Sequence, residues 1–297
     1  MSNVRAGLSE RMPRWMCRPV RCGPALRMVE EVLEEEKLNT VCASARCPNR
    51  GECFASGTAT FMILGGVCTR DCRFCAVPAG AVREPDEGEP EGVARAAETL
   101  GLRHVVVTSV TRDDLLDGGA DHFARTVMAL RRTLPGSTVE VLVPDFKGEG
   151  ESIDTVVEAA PDVFNHNVET VRRLYPVVRS GADYERSLAV LARAAGAGMV
   201  TKSGMMVGLG ESGSEVEELL RDLRQAECRM VTVGQYLRPA EDNLPVARYW
   251  KPDEFAEIEG IARGMGFEGV AAGPLVRSSY FAHEMLDTVR GHCVARG

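Results

Sequence analysis

Six of the ten cysteines in this chain of 297 residues fall between Cys42 and Cys75, and they form two triplets. Cys42, Cys47 and Cys53 are spaced C-x4-C-x5-C in CASARCPNRGEC, whereas Cys68, Cys72 and Cys75 are spaced C-x3-C-x2-C in CTRDCRFC. Thiolate sulfur is a soft ligand that suits zinc and iron–sulfur clusters. Structural zinc usually takes its ligands from two separated cysteine pairs, a pattern the second triplet does not follow. Three thiolates on one short loop hold three irons of a cubane and leave the fourth open to another ligand. The first triplet also lacks a fourth ligand nearby. It reads either as a second cluster or as one structural zinc completed by a distant cysteine such as Cys228.

A disulfide framework belongs to short secreted chains behind a signal peptide. The N-terminus MSNVRAGLSERMPRWMCRPVRCG has no apolar stretch of that kind, so the expected location is cytoplasmic, where clustered thiols are available to metal. The same segment is Arg-rich and acid-poor, which is also the composition of a mitochondrial transit peptide. Arg5, Arg11, Arg14, Arg18, Arg21 and Arg27 face Glu10 alone, on a chain of net charge −8. That overall acidity argues against nucleic acid as a partner. The arm reads as a solvated surface or as a basic strip meeting an acidic partner. No apolar run approaches the roughly 18 residues of a membrane span. His104, His122, His166, His283 and His292 show no ligand spacing, and Met199, Met205, Met206 and Met230 read as core filler. Cys17, Cys22, Cys228 and Cys293 read as free thiols.

The elements that must position the triplets alternate in type. Strand-like runs rich in Val and Thr lie at 58–66, 104–110, 138–146, 162–168, 202–210 and 230–237, and helical patterns at 91–100, 119–134, 151–160, 183–195 and 213–225. Starts spaced as in βα units predict parallel strands, and runs such as VVVTSV suit strands covered on both faces. The fold class expected is α/β, a partial (β/α)6 TIM-like barrel. Residues 1–57 form an N-terminal extension with the first triplet, 58–240 the barrel, and 241–297 a C-terminal extension. In such barrels chemistry sits where strands end. Cys68 follows the first strand, and Thr108, Ser109, Asp145, Asn165, Asn167, Glu211 and Gln235 fall at later strand ends. Asn167 and Glu169 could equally cap a helix over 169–175, and GLGE at 208–211 could be a plain turn.

The spacing of Cys68, Cys72 and Cys75 just after a first strand resembles the radical S-adenosylmethionine (SAM) superfamily. TVCASARCPNRGECFASGTATFMILGGVCTRDCRFC, followed by VVVTSVTRDDLLDGGADHFA, VLVPDFKG, FNHNVETV, KSGMMVGLGE, VGQYLRP and PLVRSSY, closely resembles the lipoyl synthase family from about Pro13 to Ala282. The resemblance implies insertion of two sulfur atoms, at C6 and C8, into an octanoyl chain amide-linked to a carrier-protein lysine. It implies that Cys68, Cys72 and Cys75 hold a 4Fe–4S cluster whose open iron chelates SAM. One electron then cleaves SAM to a 5′-deoxyadenosyl radical that abstracts hydrogen from the chain. It implies an auxiliary 4Fe–4S cluster, the sulfur source, on Cys42, Cys47, Cys53 and the serine of RSSY here numbered Ser279, with Ser278 adjacent. A serine oxygen is a harder ligand than thiolate, so it should leave iron more easily; the plain alternative is that both serines cap a turn. Thr108, Asn167 and Glu169 become expected SAM contacts. The implied partners are an octanoylated lipoyl domain, from the acyltransferase component of a 2-oxoacid dehydrogenase or the glycine cleavage H protein, and an electron donor such as flavodoxin or ferredoxin.

Two positions depart from the family pattern: Thr111 stands where an Asp is usual and Asn243 where a His is common. Neither is a cluster ligand, and both bear on SAM contacts or carrier docking. Two other readings compete: a binding module stapled by zinc, and a radical SAM enzyme of another class that uses its auxiliary cluster only for electron transfer.

Overall fold

The computed structural model describes residues 12–16, 24–44, 47, 49–55 and 58–295. Arg5, Arg11, Arg18, Arg21, Cys17 and Cys22, and the side chains of His292 and Cys293, lie outside the described residues. In chain order the elements are α1 (Pro24–Glu35), β1 (Asn39–Thr40), α2 (Val41–Ser44), α3 (Arg50–Ala55), β2 (Thr58–Ile63), α4 (Glu89–Thr99), β3 (His104–Ser109), α5 (Ala120–Thr133) and β4 (Thr138–Leu142). There follow α6 (Gly150–Glu158), β5 (Val163–Asn165), α7 (Tyr175–Val178), α8 (Tyr184–Gly196), β6 (Thr201–Val207), α9 (Gly213–Gln225), β7 (Met230–Gln235), α10 (Pro252–Gly264), β8 (Gly269–Gly273) and α11 (Ala282–Ala295).

One sheet runs β1 to β8 in sequence order, with β2 through β8 parallel and β1 antiparallel on the free edge of β2. All six expected strands are present. β2, β3 and β7 are buried along almost their whole length, as covered parallel strands require. β2 stops before its expected end because Leu64 and Gly65 both take positive φ, +66° and +91°, which leaves the extended region. Pro144, which donates no N–H, follows soon after the end of β4. A seventh parallel strand, β8, lies inside the residues read as the C-terminal extension. Its sequence GVAAG has only one β-branched residue, so the strand signal was missing. The helix expected over 169–175 is instead a 3-10 turn at Arg172–Leu174 followed by α7.

Helix α9 begins on a capping box in which Ser212 Oγ accepts from Glu215 N and Glu215 accepts from Ser212 N. The core of the described residues falls into two large clusters and a small one in which Met285, Leu286 and Val289 of α11 pack on Val163 and Met230. One large cluster joins β2 to β4 with α1, α4 and α5 and includes Cys42; the other joins β6 and β7 with α9 and α10 and includes Cys228.

The sheet does not close on itself, and β1 and β8 are its two edges. The chain before and at the start of β2 meets the chain after β8 across this seam. Asn49 Nδ2 donates to the Leu275 carbonyl at 2.6 Å, Tyr280 OH donates to Glu52 Oε2 at 3.3 Å, and Thr58 Oγ1 lies 3.4 Å from His283 Nδ1.

Candidate functional site

The C-x3-C-x2-C loop leaves the end of β2 and is held on every side by backbone and buried charge. Cys68 N donates to Pro78 O and Gly80 N to Cys68 O, folding the loop back on itself. Thr69 N and Thr69 Oγ1 both donate to the Thr111 carbonyl, and Asp113 N donates to Thr69 Oγ1. Arg70 makes two-pronged pairs with Asp113 (2.7 and 2.8 Å) and with Asp145 (2.7 and 3.0 Å), and Arg186 reaches Asp145 as well. Burial opposes the charge on Asp145, yet these arginines hold its carboxyl well below the usual range. Backbone N–H groups of Arg70 and Thr111 point at Cys68 Sγ (3.4 and 3.3 Å), and that of Val77 at Cys75 Sγ (3.4 Å). Such donors stabilise a sulfur that becomes thiolate. Burial and the neighbouring cysteines push the Cys72 thiol up to about 11, with Arg179 opposing.

The C-x4-C-x5-C loop is organised differently. Cys42 N is held by Thr40 Oγ1, which donates to Thr60 O on β2. Cys47 N donates to Cys42 O and Cys53 N to Asn49 O. Burial, reinforced by the nearby sulfurs of the same triplet, raises Cys42 to about 11 and Cys53 to about 12. The fourth side of this loop is the segment after β8. Arg277 lies near Cys47, and burial pulls its pKa down while Cys47 opposes the shift. Gly234 of β7 allows the close approach: a Cβ there would stand 2.1 Å from Val276 O. Ser278 Oγ accepts from Asn165 Nδ2 (2.8 Å) and donates to Asn167 Oδ1 (3.0 Å). Ser279, half-buried, makes no hydrogen bond through its hydroxyl to any described residue.

The expected strand-end residues gather above the barrel. Asn167 Nδ2 donates to Glu169 Oε1 at 3.0 Å. Glu169 adopts φ +65° and is pinned to β6 by its N–H to Gly204 O and its carbonyl from Met206 N. Holding a non-glycine residue there costs on the order of 1 kcal/mol. Burial raises the Glu169 carboxyl, and Arg179 opposes that rise. Gly204 makes room for Asn167, whose Oδ1 would lie 2.7 Å from a Cβ at that position. Thr108 Oγ1 is committed to Leu142 O (2.9 Å), whereas the buried Oγ of Ser109, the next residue along β3, has no partner among the described residues. In GLGE, the Glu211 carboxylate folds back to accept from Gly208 N, Leu209 N and Trp250 Nε1.

The donor sets fit two clusters. Each loop presents three thiols, the six are all free, and within each triplet the sulfurs act on one another. No three His, Cys, Asp or Glu side chains among the described residues converge as a single metal ion requires. Cys228 cannot complete the first triplet: it precedes the start of β7 in the other large cluster of the core, its Sγ 3.2 Å from Met230 O.

A family model, the radical SAM superfamily, matches residues 62–223. Lipoyl synthase of Caldanaerobacter subterraneus is 57% identical over 96% of this chain and 100% of its own, and that of Rubrobacter xylanophilus is 54% identical over 96% and 90%. The chain belongs to the lipoyl synthase family. It therefore sits within the radical SAM enzymes, whose cofactors are SAM and a 4Fe–4S cluster, with the auxiliary cluster that lipoyl synthases add. Among solved structures, the hydrogenase maturase HydG matches with a TM-score of 0.60 at 16% identity, over 89% of this chain and 65% of that one, which is a likeness of fold.

The two departures from the family pattern are explained locally. Thr111 works through its backbone, as donor to Cys68 Sγ and acceptor from Thr69, so its side chain is not called on. Asn243 Nδ2 donates to the carbonyls of Cys75 (2.9 Å) and Arg73 (3.2 Å), a brace on the cysteine loop. Sequence reasoning missed the Arg70 clamp, Arg179, and the ion pair of Glu140 with Lys202. The available signal was charge inside apolar strands: Glu140 in TVEVLV and Lys202 opening KSGMMV. His104, His122 and His166 are buried, each against a strand or helix neighbour, as packing residues.

Proposed function

We propose that this enzyme inserts two sulfur atoms at C6 and C8 of an octanoyl chain carried on a lysine, with Cys68, Cys72 and Cys75 holding the radical-generating cluster and Cys42, Cys47, Cys53 and Ser279 the auxiliary one. When bound, the first cluster supplies the electron that cleaves SAM, and the second supplies sulfur. The observation that carries the assignment is the occupation of the two serines. The Ser278 proton is committed to Asn167 and its oxygen accepts from Asn165, whereas the Ser279 hydroxyl carries no such commitments, which favours Ser279 as the ligand oxygen. Arg277, set against Cys47, offsets negative charge on the thiolates.

Asn167 and Glu169 are the proposed SAM contacts beyond the cluster, next to Cys72 and Cys75, which feel the Glu169 charge. Thr108 belongs to the same set through its remaining acceptor capacity. The Arg179 guanidinium attracts both Glu169 and Cys72 and so favours their charged forms.

The proposed substrate protein is the lipoyl domain of a 2-oxoacid dehydrogenase complex or the glycine cleavage H protein, with a flavodoxin or ferredoxin as electron donor and the reducing cytoplasm as the setting. Exposed Arg14 and Arg27 belong to the basic arm that would face an acidic carrier. No helix among the described residues is long and apolar enough to cross a membrane.

Anaerobic turnover with an octanoylated carrier peptide and SAM, followed by mass spectrometry, tests the reading. The expected protein is brown, with about eight irons, and the peptide gains two sulfurs while the auxiliary cluster is consumed. A colourless zinc protein would end it. Turnover that leaves the auxiliary cluster intact would instead favour a role in electron transfer.

A further inference from the structure

The barrel interior holds a charged pair that the reaction as described does not use. Lys202 on β6 and Glu140 on β4 are fully buried, with Lys202 Nζ 3.0 Å from each Glu140 oxygen. Glu140 Oε1 also accepts from Asn165 Nδ2 on β5 at 2.7 Å. The same Asn165 amide nitrogen donates to Ser278 Oγ. An amide nitrogen has two hydrogens, so one goes to each acceptor and the amide is fixed in rotation. Ser278 then has one hydrogen left, which goes to Asn167 Oδ1. The chain continues through Asn167 to Glu169. It therefore runs unbroken from the barrel floor to the segment beside the radical loop, and it passes through the residue that precedes Ser279.

We infer that Lys202, Glu140 and Asn165 are positioning residues for the auxiliary cluster, acting through Ser278 to hold Ser279 at the fourth iron. The inference rests on Ser279 being that ligand. Oxygen is the poor match in a set of thiolates, so an untethered serine would lose its place to water or another donor. Anchoring its neighbour to three strands of a packed barrel supplies the rigidity that a loop after β8 lacks. Lys202 keeps Glu140 an acceptor, Glu140 orients Asn165, and Asn165 fixes the Ser278 oxygen. Gly234 completes the arrangement by letting Val276 rest on β7.

The test compares Ser278→Ala, Ser278→Thr, Asn165→Ala and Ser279→Ala, each reconstituted anaerobically with iron and sulfide. Mössbauer spectra report the oxygen-ligated iron, and the ratio of lipoyl product to 5′-deoxyadenosine reports sulfur insertion per SAM cleaved. Ser278→Ala and Asn165→Ala are expected to lose the oxygen-ligated subsite and to lower that ratio about 10–100-fold, the usual range for residues behind a metal ligand. Ser278→Thr, which keeps the hydroxyl, restores both, and thermal melting of Ser278→Ala stays near that of the parent. If Ser279→Ala loses the subsite while Ser278→Ala and Asn165→Ala keep it, the relay does not position the ligand and the inference falls alone. If Ser279→Ala keeps the subsite, the ligand assignment falls and takes the inference with it.

Discussion

The two cysteine loops differ in how much of the molecule each needs. The C-x3-C-x2-C loop is gripped from many elements of the barrel, by Asp113 and Asp145 through Arg70, by the Val178 carbonyl, and by Asn243 after β7. The C-x4-C-x5-C loop is half a site. Its other half arrives after β8 and meets it across the open seam, at Asn49 with Leu275 and Glu52 with Tyr280. The second triplet is built into the barrel. The first triplet is instead flanked by two pieces of chain that meet across the seam.

Exchange of one cysteine in each loop should break the comparison most sharply. Cys68→Ala is expected to abolish reductive SAM cleavage, whereas Cys42→Ala keeps cleavage and inserts no sulfur; lipoyl product from Cys42→Ala would end the division of labour. Next comes the clamp. Arg70→Met leaves the buried Asp145 with Arg186 and the Lys147 backbone N–H and should cost about 3 kcal/mol in denaturant unfolding. SAM cleavage should fall with it, and an unchanged midpoint would mean the loop is held by its backbone. On the other side of the comparison, Gly234→Ala drives a methyl into Val276 O. It should lower sulfur insertion about 10-fold or more while SAM cleavage continues; equal loss of both would show that the seam serves the two loops alike.

The buried pair inside the barrel gives a pH effect. Burial would raise Glu140, but Lys202, His104 and Asn165 outweigh it and hold the carboxyl at about 2 against an ordinary 4.5. A depressed folded-state pKa means stability that is present above pH 4.5 and is lost as pH falls from there toward 2. Unfolding midpoints followed across that window should decline, and the decline from this source should be absent in Glu140→Gln/Lys202→Met. The smallest effect is expected at Thr111. Thr111→Asp brings in the family's usual residue where only the backbone is used, so stability should move by no more than about 0.5 kcal/mol. A large gain in SAM affinity would show that the side chain matters after all.

Legibility followed the range of the interaction. The six strands could be read because β-branched runs between turn residues are local signals, and the cysteine spacings because three ligands on one loop are local too. β8 could not, since GVAAG is a strand only by pairing with β7. Asn167 and Glu169 fell between two readings until φ +65° at Glu169 removed the helix start. The Arg70 clamp and the Lys202–Glu140 pair join residues 75 and 62 positions apart, and a single sequence holds no sign of which charges will meet.

What the chain's own order of residues determined is the chemistry: two sets of three soft ligands, a barrel to present one of them, and a pair of serines more than 200 residues downstream. Which of the two serines has its hydroxyl engaged, only the tertiary structure decided. A hydroxyl has a single proton, and that of Ser278 is spent on Asn167 while its oxygen also accepts from Asn165, whereas Ser279 Oγ has no hydrogen-bond partner among the described residues.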